Sequence, residues 1–426
     1  MKKIAKAVVV KILGWQVRRL RNKNDFRVIA VAGSIGKTST KLAIANLLGR
    51  SLKVQYQEGN YNDIVSVPLI FFGLEMPSLL NPLAWLKTFM NIESQIRRVY
   101  PYENVIVELG TDGPRQLAEF DRYLKPDIGV LTAISPEHMQ YFVDLDAVAK
   151  EELTIITLSK KIIYNTDLVD AKYQLSFPKS SLTYSLNSDA TYTITNLRQK
   201  SDGYSFSLCY NGTNILNSEY EAYSKIQLYS LLAAVGVAHE IGLTTDQIAS
   251  GIQAIKTVSG RMNRLAGVNH SIIIDDTYNA SPAATKAALD TLYEQPAHQK
   301  IAILGNMNEL GKYSSNAHTE IGKYCSPKEL DLVVTIGPDA NKYLAAAARQ
   351  NGCQVKSYSN PYVAGAELQN FIKQGAVILA KGSQNGVFAE ETVKLLLANP
   401  RDSIKLVRQS QQWLEKKQKS MAQLRG

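Results

Sequence analysis

Short uncharged apolar runs alternate with helical patterns along most of this chain. Residues 27–33 (RVIAVAG) are apolar after Arg27 and too short for a helix, which predicts a buried strand ending on a glycine turn. The KLAIANLL run that follows, Lys41 to Leu48, reads as a helix. Runs at 104–109, 128–131 and 161–164 fit further parallel strands, so a doubly wound α/β sheet is expected. From about Leu182 to Leu216 the period changes to two. The segments TYTITNL and YSFSLCY, with Asn211–Gly212 as turn, predict a small antiparallel extension. A helix ending at Gly242 follows, and a second α/β block has strands at 270–276, 300–305, 331–337 and 376–382. The boundary is expected at 256–262.

Charge separates the ends from the body. Residues 1–24 hold eight Lys or Arg and no acid, and 401–426 hold seven against Asp402 and Glu415. With +10 overall, these ends at +8 and +5 leave −3 for the residues between them, so a nucleic-acid groove is not expected. The N-terminal stretch places Ile4, Val8, Ile12 and Trp15 at helical spacing. Two readings stay open: a basic amphipathic helix on an anionic membrane surface, or a helix packed on the next domain. Lys11 interrupts the run, which argues against a cleaved leader. From Gln409 onward the Lys- and Gln-rich tail is expected to be a solvated helix. No uncharged apolar stretch reaches 18 residues. Cys209, Cys325 and Cys353 are widely spaced and make neither a disulfide framework nor a CxxC site, so a reducing, cytoplasmic setting is expected.

The strongest local signal is Gly33-Ser34-Ile35-Gly36-Lys37-Thr38, followed by Ser39, between strand and helix. Glycines let backbone N–H groups close around phosphate oxygens, and the helix N-terminus adds positive potential. Lys37 would reach the terminal phosphates of ATP and the Thr38 hydroxyl would ligate Mg²⁺. Val31 occupies the place where the general pattern has a further glycine.

AGSIGKTST, EGNYND–VPL, VELGTD, PEH, NTD, SGR, DDTYNASP, GNMNELG and KGSQN occur in that order. The series resembles the Mur ligase family, in particular its members that add D-alanyl-D-alanine, and covers residues 27 to about 395. The resemblance implies a P-loop central ATPase domain (26–258) and a Rossmann-like C-terminal domain (259–400), flanked by a basic N-terminal helix (1–25) and a basic helical tail (401–426). It implies ATP-dependent amide formation through an acyl phosphate. The expected donor is a peptidyl carboxylate such as a UDP-MurNAc-tripeptide, and the amine an amino acid or dipeptide.

Residue by residue, Glu108 resembles the family's Mg²⁺-binding glutamate and His138 the histidine beside a second metal. Asn165 resembles the adenine-contacting asparagine, Arg261 the arginine that reaches the ATP phosphates, and Asp276 the ribose-binding aspartate. Asn60, Asn62, Tyr278, Asn279, Glu309, Lys381, Gly382 and Ser383 match substrate-facing loops. Both blocks supply motifs, so closure over ATP is expected.

Departures stand beside these matches. Glu152 falls where the family has a carbamylated lysine, with Lys150 two residues earlier, and is expected to supply the same negative charge on the metal side. Asp63 replaces an Asn, Asn306 an Asp and Gln384 an Arg; Ser224 and Ile226 stand for a Gly and a His. About 25 residues precede the first ATPase strand, where the family has a UDP-binding domain of roughly one hundred. Two alternatives follow: a related ligase with a non-UDP donor, of polyglutamate or capsule type, or a nucleotide-binding scaffold without ligase activity.

Overall fold

A computed structural model describes residues 2–59, 61–200 and 203–423. The chain forms two compact units. One holds the chain through Ser135, then Tyr141–Tyr220 and Leu228–Lys256; the other holds Pro136–Gln140, Glu221–Gln227 and the chain from Thr257 onward.

The first unit is built on a nine-stranded sheet. In chain order its strands are β1 (Arg27–Ala32), β2 (Val54–Gln55), β3 (Asn104–Glu108), β4 (Ile128–Leu131), β5 (Lys161–Asn165), β6 (Leu182–Ser185), β7 (Tyr192–Lys200), β8 (Gly203–Tyr210) and β9 (Thr213–Tyr220). Their spatial order is β2-β3-β1-β4-β5-β6-β7-β8-β9. Pairing is parallel from β2 to β7, and only β7–β8 and β8–β9 are antiparallel. The alternating Thr/Tyr segments therefore extend the main sheet rather than fold apart from it. Residues 28–32 of β1 and all of β3 and β4 are buried, which is why 28–32, 105–107 and 128–131 read as uninterrupted apolar runs.

Helix α1 (Lys2–Lys23) belongs to this unit. Val9, Leu13, Val17 and Leu20 enter the same core as Val28 and Ala30 of β1. The stripe picked out by sequence falls elsewhere: Val8 is 52% and Trp15 48% exposed. The helix is thus packed through one face and apolar on a second.

The second unit has a six-stranded sheet from β10 (Asn263–Ala266), β11 (Ile272–Asp276), β12 (Lys300–Gly305), β13 (Leu332–Ile336), β14 (Val355–Tyr358) and β15 (Val377–Lys381). Their order is β10-β11-β15-β12-β13-β14, parallel except for β10.

The tail forms the expected helix and leaves Gln411, Gln412, Glu415, Lys416, Gln418 and Lys419 exposed, with Lys417 as the exception. The Gln411–Gln423 helix buries Lys417 completely, its ammonium 2.9 Å from Glu390 Oε1 and 2.5 Å from Glu391 Oε1. It also donates to the Arg408 carbonyl at 2.8 Å. Arg408 in turn pairs with Glu390 at 2.7 Å and donates to the Tyr278 carbonyl at 3.0 Å and the Thr277 carbonyl. Burial pushes the Glu391 pKa up, but hydrogen bonding and charge from Lys417 outweigh it and hold the carboxyl below its usual range. Composition had made these side chains look solvated; two buried carboxylates, Glu390 and Glu391, make them structural.

Asp275 is a different buried acid. It accepts from the Gly260 and Thr277 amides at 3.1 and 3.2 Å and from the Thr277 hydroxyl at 2.6 Å, yet burial pushes its pKa up to about 6. A raised folded-state pKa means that this group stabilises the fold fully below the unfolded value near 3.8 and loses that contribution as pH rises through 6. The stability of the wild type relative to Asp275→Asn is expected to fall by up to ~3 kcal/mol between pH 4 and 7. Paired denaturant titrations across that range test this, and a pH-independent difference would contradict it.

Candidate functional site

In the first unit the parallel sheet brings the ends of β1, β3, β4 and β5 to one edge, where α/β sheets bind ligands. The turn after β1 leads into helix α2 (Lys37–Gly49). Gly33 has φ +126° and a Cβ there would meet Thr132 Oγ1 at 2.3 Å, so only glycine fits; Gly36, at φ +85°, starts the helix. Segment 132–135 pins the turn from beside β1. The Thr132 hydroxyl donates to Ile35 O at 2.6 Å, Ser34 N–H to Ala133 O at 2.9 Å, and Ser135 N–H to Ser34 Oγ at 3.0 Å. The Lys37 ammonium reaches back across the turn to the Gly33 carbonyl. Thr38 is buried and Ser39 partly buried on the first turn of α2.

Glu108 ends β3 in register with Val31 and is 3% exposed. Its Oε1 lies 3.3 Å from Asn62 Nδ2. Its Oε2 faces the Lys41 ammonium at 3.3 Å and has no hydrogen bond among the described residues. Asn62 is held by its own carbonyl, which accepts from Gly110 N–H at 2.8 Å. Two residues expected to serve separate ligands are therefore neighbours. Asn60 lies outside the described residues. Asp63 turns its carboxylate back onto the Val65 amide at 2.7 Å and the Ser66 hydroxyl at 3.0 Å, a turn-forming role that Asp fills as well as Asn.

Lys41 escaped the sequence reading. It is fully buried one turn beyond Lys37, and its partner Glu108 is far off in sequence. The available signal was a lysine on an otherwise apolar helix face.

Glu152, at the end of the Leu145–Glu152 helix, is 2% exposed and its Oε2 accepts from Gly33 N–H at 2.7 Å. Glu151 beside it accepts from the Leu117 and Arg115 amides at 2.7 and 2.6 Å. Asn165, fully buried at the end of β5, accepts from the Asp167 and Leu168 amides at 2.9 and 3.2 Å.

The second unit holds the remaining candidates. His138 has φ +51° and its Nδ1 lies 2.7 Å from Glu309 Oε2, with Glu309 itself at φ +64°. The hydrogen bond and charge of His138 hold the Glu309 carboxyl below its usual range against the opposing effect of burial. The Arg261 guanidinium stacks 4.2 Å above the Tyr278 ring, and its Nε has no hydrogen-bond partner among the described residues.

Asp276 and Lys381 end adjacent strands β11 and β15 and form a buried ion pair. Lys381 also donates to the Asn279 carbonyl at 3.0 Å. After Gly382, Ser383 ties two loops together: its hydroxyl donates to Ala280 O at 3.1 Å and accepts from Asn308 N–H at 2.9 Å. His318 accepts from Met307 N–H through Nε2 at 3.0 Å, and Nδ1 donates to Ser314 O at 2.8 Å. Burial lowers its pKa, in keeping with a neutral structural ring. Asn306 accepts from Ala340 N–H at 2.8 Å, and Ser224 shares a hydroxyl contact with Thr291 at 2.8 Å.

A glycine turn at the carboxyl edge of a parallel sheet, with Lys37 and Thr38 on the helix and Glu108 on the next strand, is the arrangement of P-loop nucleotide-binding folds. The Mur ligase middle domain matches residues 31–238 and the Mur ligase glutamate ligase domain residues 260–384; the chain belongs to the Mur ligase family. It is 27% identical over 383 residues to the UDP-N-acetylmuramoyl-tripeptide–D-alanyl-D-alanine ligase of Bacillus subtilis, covering 88% of this chain and 76% of the relative. The ligase of the same name from Escherichia coli is 25% identical, with 89% and 79% covered. Among solved structures, Thermotoga maritima MurF in complex with ADP aligns at TM-score 0.74 and 23% identity over 93% of this chain and 84% of that one. Mycobacterium tuberculosis folylpolyglutamate synthase complexed with ADP aligns at TM-score 0.65 and 17% identity over 92% and 94%.

Proposed function

We propose that this chain is an ATP-dependent amide ligase that joins D-alanyl-D-alanine to a UDP-N-acetylmuramoyl-tripeptide in peptidoglycan precursor synthesis. The observation that carries the reading is the Gly33–Thr38 turn with Glu108 beside it, in a chain whose relatives over most of its length are ligases of that name.

In this reading a donor carboxylate oxygen attacks the γ-phosphorus of ATP, giving an acyl phosphate and ADP. The amine then attacks the acyl carbon, inorganic phosphate leaves, and the amine gives up a proton. Lys37 and the turn amides neutralise charge on the transferring group, and Arg261, stacked on Tyr278, adds a further cation for phosphate. Asn165 faces adenine and Asp276 the ribose. Asn60, Asn62, Tyr278, Asn279, Glu309, Lys381, Gly382 and Ser383 orient donor and amine. Work in the cytoplasm, where ATP and the UDP precursor occur, follows from this reading.

Mg²⁺ takes hard oxygen donors. The buried Thr38 hydroxyl and the Glu108 oxygen without a hydrogen bond fit it. Among the described residues no three His, Cys, Asp or Glu side chains group as a metal site, so phosphate oxygens would complete the shell. When bound, the cation offsets phosphate charge. Glu152 is assigned as a metal-side anion in this reading, and its bond to Gly33 N–H gives it the additional task of holding the turn. His138, paired with Glu309, is assigned beside the second cation. Glu152→Gln is expected to lower turnover at least tenfold and to raise the Mg²⁺ concentration at half-maximal rate. Turnover and Mg²⁺ dependence like the wild type would remove Glu152 from the site.

Incubating the protein with Mg·ATP, UDP-N-acetylmuramoyl-tripeptide and D-alanyl-D-alanine, and weighing the product by mass spectrometry, tests the function. The reading requires the ligated mass, with phosphate released only when both substrates are present. A second reading keeps the chemistry and changes the donor. The alignment to 94% of the folylpolyglutamate synthase chain favours it, and glutamate addition to a non-UDP carboxylate would be its result. Nucleotide binding without release of phosphate would mark a scaffold.

A further inference from the structure

Two neighbouring helices of the first unit leave a shared apolar face uncovered. Helix α1 and the Pro82–Arg97 helix run side by side in the same direction: Gln16 Nε2 donates to Phe89 O at 3.3 Å and Glu93 Oε1 at 3.1 Å, and Lys23 Nζ to Ile96 O at 2.8 Å and Arg97 O at 2.9 Å. Bonded partners are offset by 73–77 residues, so the same register sets Val8 and Ile12 of α1 level with Leu83 and Leu86.

The buried sides of both helices are spoken for. Val9, Leu13 and Val17 of α1 and Trp85, Ile92 and Ile96 of its neighbour fill the core. What remains outside includes large apolar side chains. Val8 and Trp15 are 52% and 48% exposed, and Leu83, Leu86 and Met90, at i, i+3 and i+7, are 77%, 57% and 65% exposed. An ordinary solvated helix pair places charge at such positions.

The rim decides what covers this face. Lys11, Lys87 and Arg97 are exposed around it, and the Arg19 guanidinium lies 4.4 Å above the Trp15 ring. Of the acids nearby, Glu93 is taken by Arg19 and Gln16, leaving Glu75 on the preceding loop. Residues 1–24 carry +8 while the body is slightly negative. A second copy would set cation against cation, whereas an anionic lipid surface supplies phosphates to the rim and hydrocarbon to the centre. Among the described residues no helix is long and apolar enough to cross a membrane, so the contact is one of lying on the surface.

We infer that the paired α1 and Pro82–Arg97 helices form a docking face for an anionic membrane surface, with Trp15, Leu83, Leu86 and Met90 entering the headgroup–acyl boundary and the lysines holding lipid phosphates. This inference is independent of the proposed ligase activity.

The test is sedimentation of the full chain with vesicles. Binding is expected to phosphatidylcholine vesicles containing phosphatidylglycerol and not to pure phosphatidylcholine, and to weaken with added salt. Leu86→Ser with Met90→Ser should lower the partition roughly tenfold or more, as should Lys11→Glu with Lys87→Glu. All four positions are exposed, so melting curves and nucleotide turnover in vesicle-free solution should match the wild type. Three results would overturn the inference: no binding to phosphatidylglycerol vesicles at low salt, binding indifferent to both pairs of substitutions, or a protein dimer in dilute solution that Leu86→Ser/Met90→Ser dissociates.

Discussion

Lys37→Met is expected to lower phosphate release in the presence of donor and amine by about 10²–10³-fold, the usual effect of removing one preorganised charge from a developing anion. Lys37 stands at the first position of α2, where backbone N–H groups already point at the turn, and its ammonium spans that turn to the Gly33 carbonyl. Phosphate would offer the ammonium a stronger, fully charged partner in the same place. The side chain is only partly buried, so methionine should leave thermal stability within about 1 kcal/mol of the wild type. Retained turnover within a few-fold would mean that the Gly33–Thr38 turn is not where phosphate is handled. Separate titration with ADP distinguishes lost affinity from lost catalysis.

The second large effect concerns stability. Lys417→Met removes the ammonium that lies against Glu390 and Glu391 in a fully buried cluster. Glu390 keeps Arg408, but Glu391 is left a buried carboxylate with Gln409 at 3.1 Å and the more distant Lys394 at 3.9 Å. Breaking a buried pair by deleting one partner costs about 3–5 kcal/mol, because the other charge stays out of water. For a unit of this size that corresponds to a melting point lower by roughly 10 °C. Adding Glu391→Gln should recover part of the loss, since it removes the uncompensated charge, and calorimetry of the four proteins of this cycle measures the coupling. Additive losses would mean that the tail docks by other contacts. The consequence reaches beyond stability: Arg408, positioned in this cluster, holds the Thr277 and Tyr278 carbonyls, and Tyr278 carries Arg261 on its ring.

What could be read in advance divides along physical lines. Buried parallel strands confine charge to their first or last residue and keep an apolar stretch between, so β1, β3, β4, β12, β13 and β15 were visible as runs. The edge strands β2, β10 and β14 are two to four residues long and partly exposed, and they left no such mark. The Gly33–Thr38 turn was legible because its signature is local: glycines, a lysine and a hydroxyl stand consecutively.

Pairing across the fold was not legible. That Asn62 faces Glu108, that Lys41 balances the same carboxylate, and that His138 meets Glu309 each joins residues from separate segments. The tail shows the limit most plainly. Lys417 and Arg408 have the composition of solvated residues, and only the folded chain brings Glu390 and Glu391 to them.

The linear order of residues was enough to determine the buried parallel strands, the Gly33–Thr38 turn and the family, because burial and backbone geometry impose their demands within a few consecutive positions. Tertiary structure alone decided which charges are buried against which, and which apolar stripe of the first helix stays outside the core. Those outcomes depend on desolvation, which no residue's neighbours in sequence control.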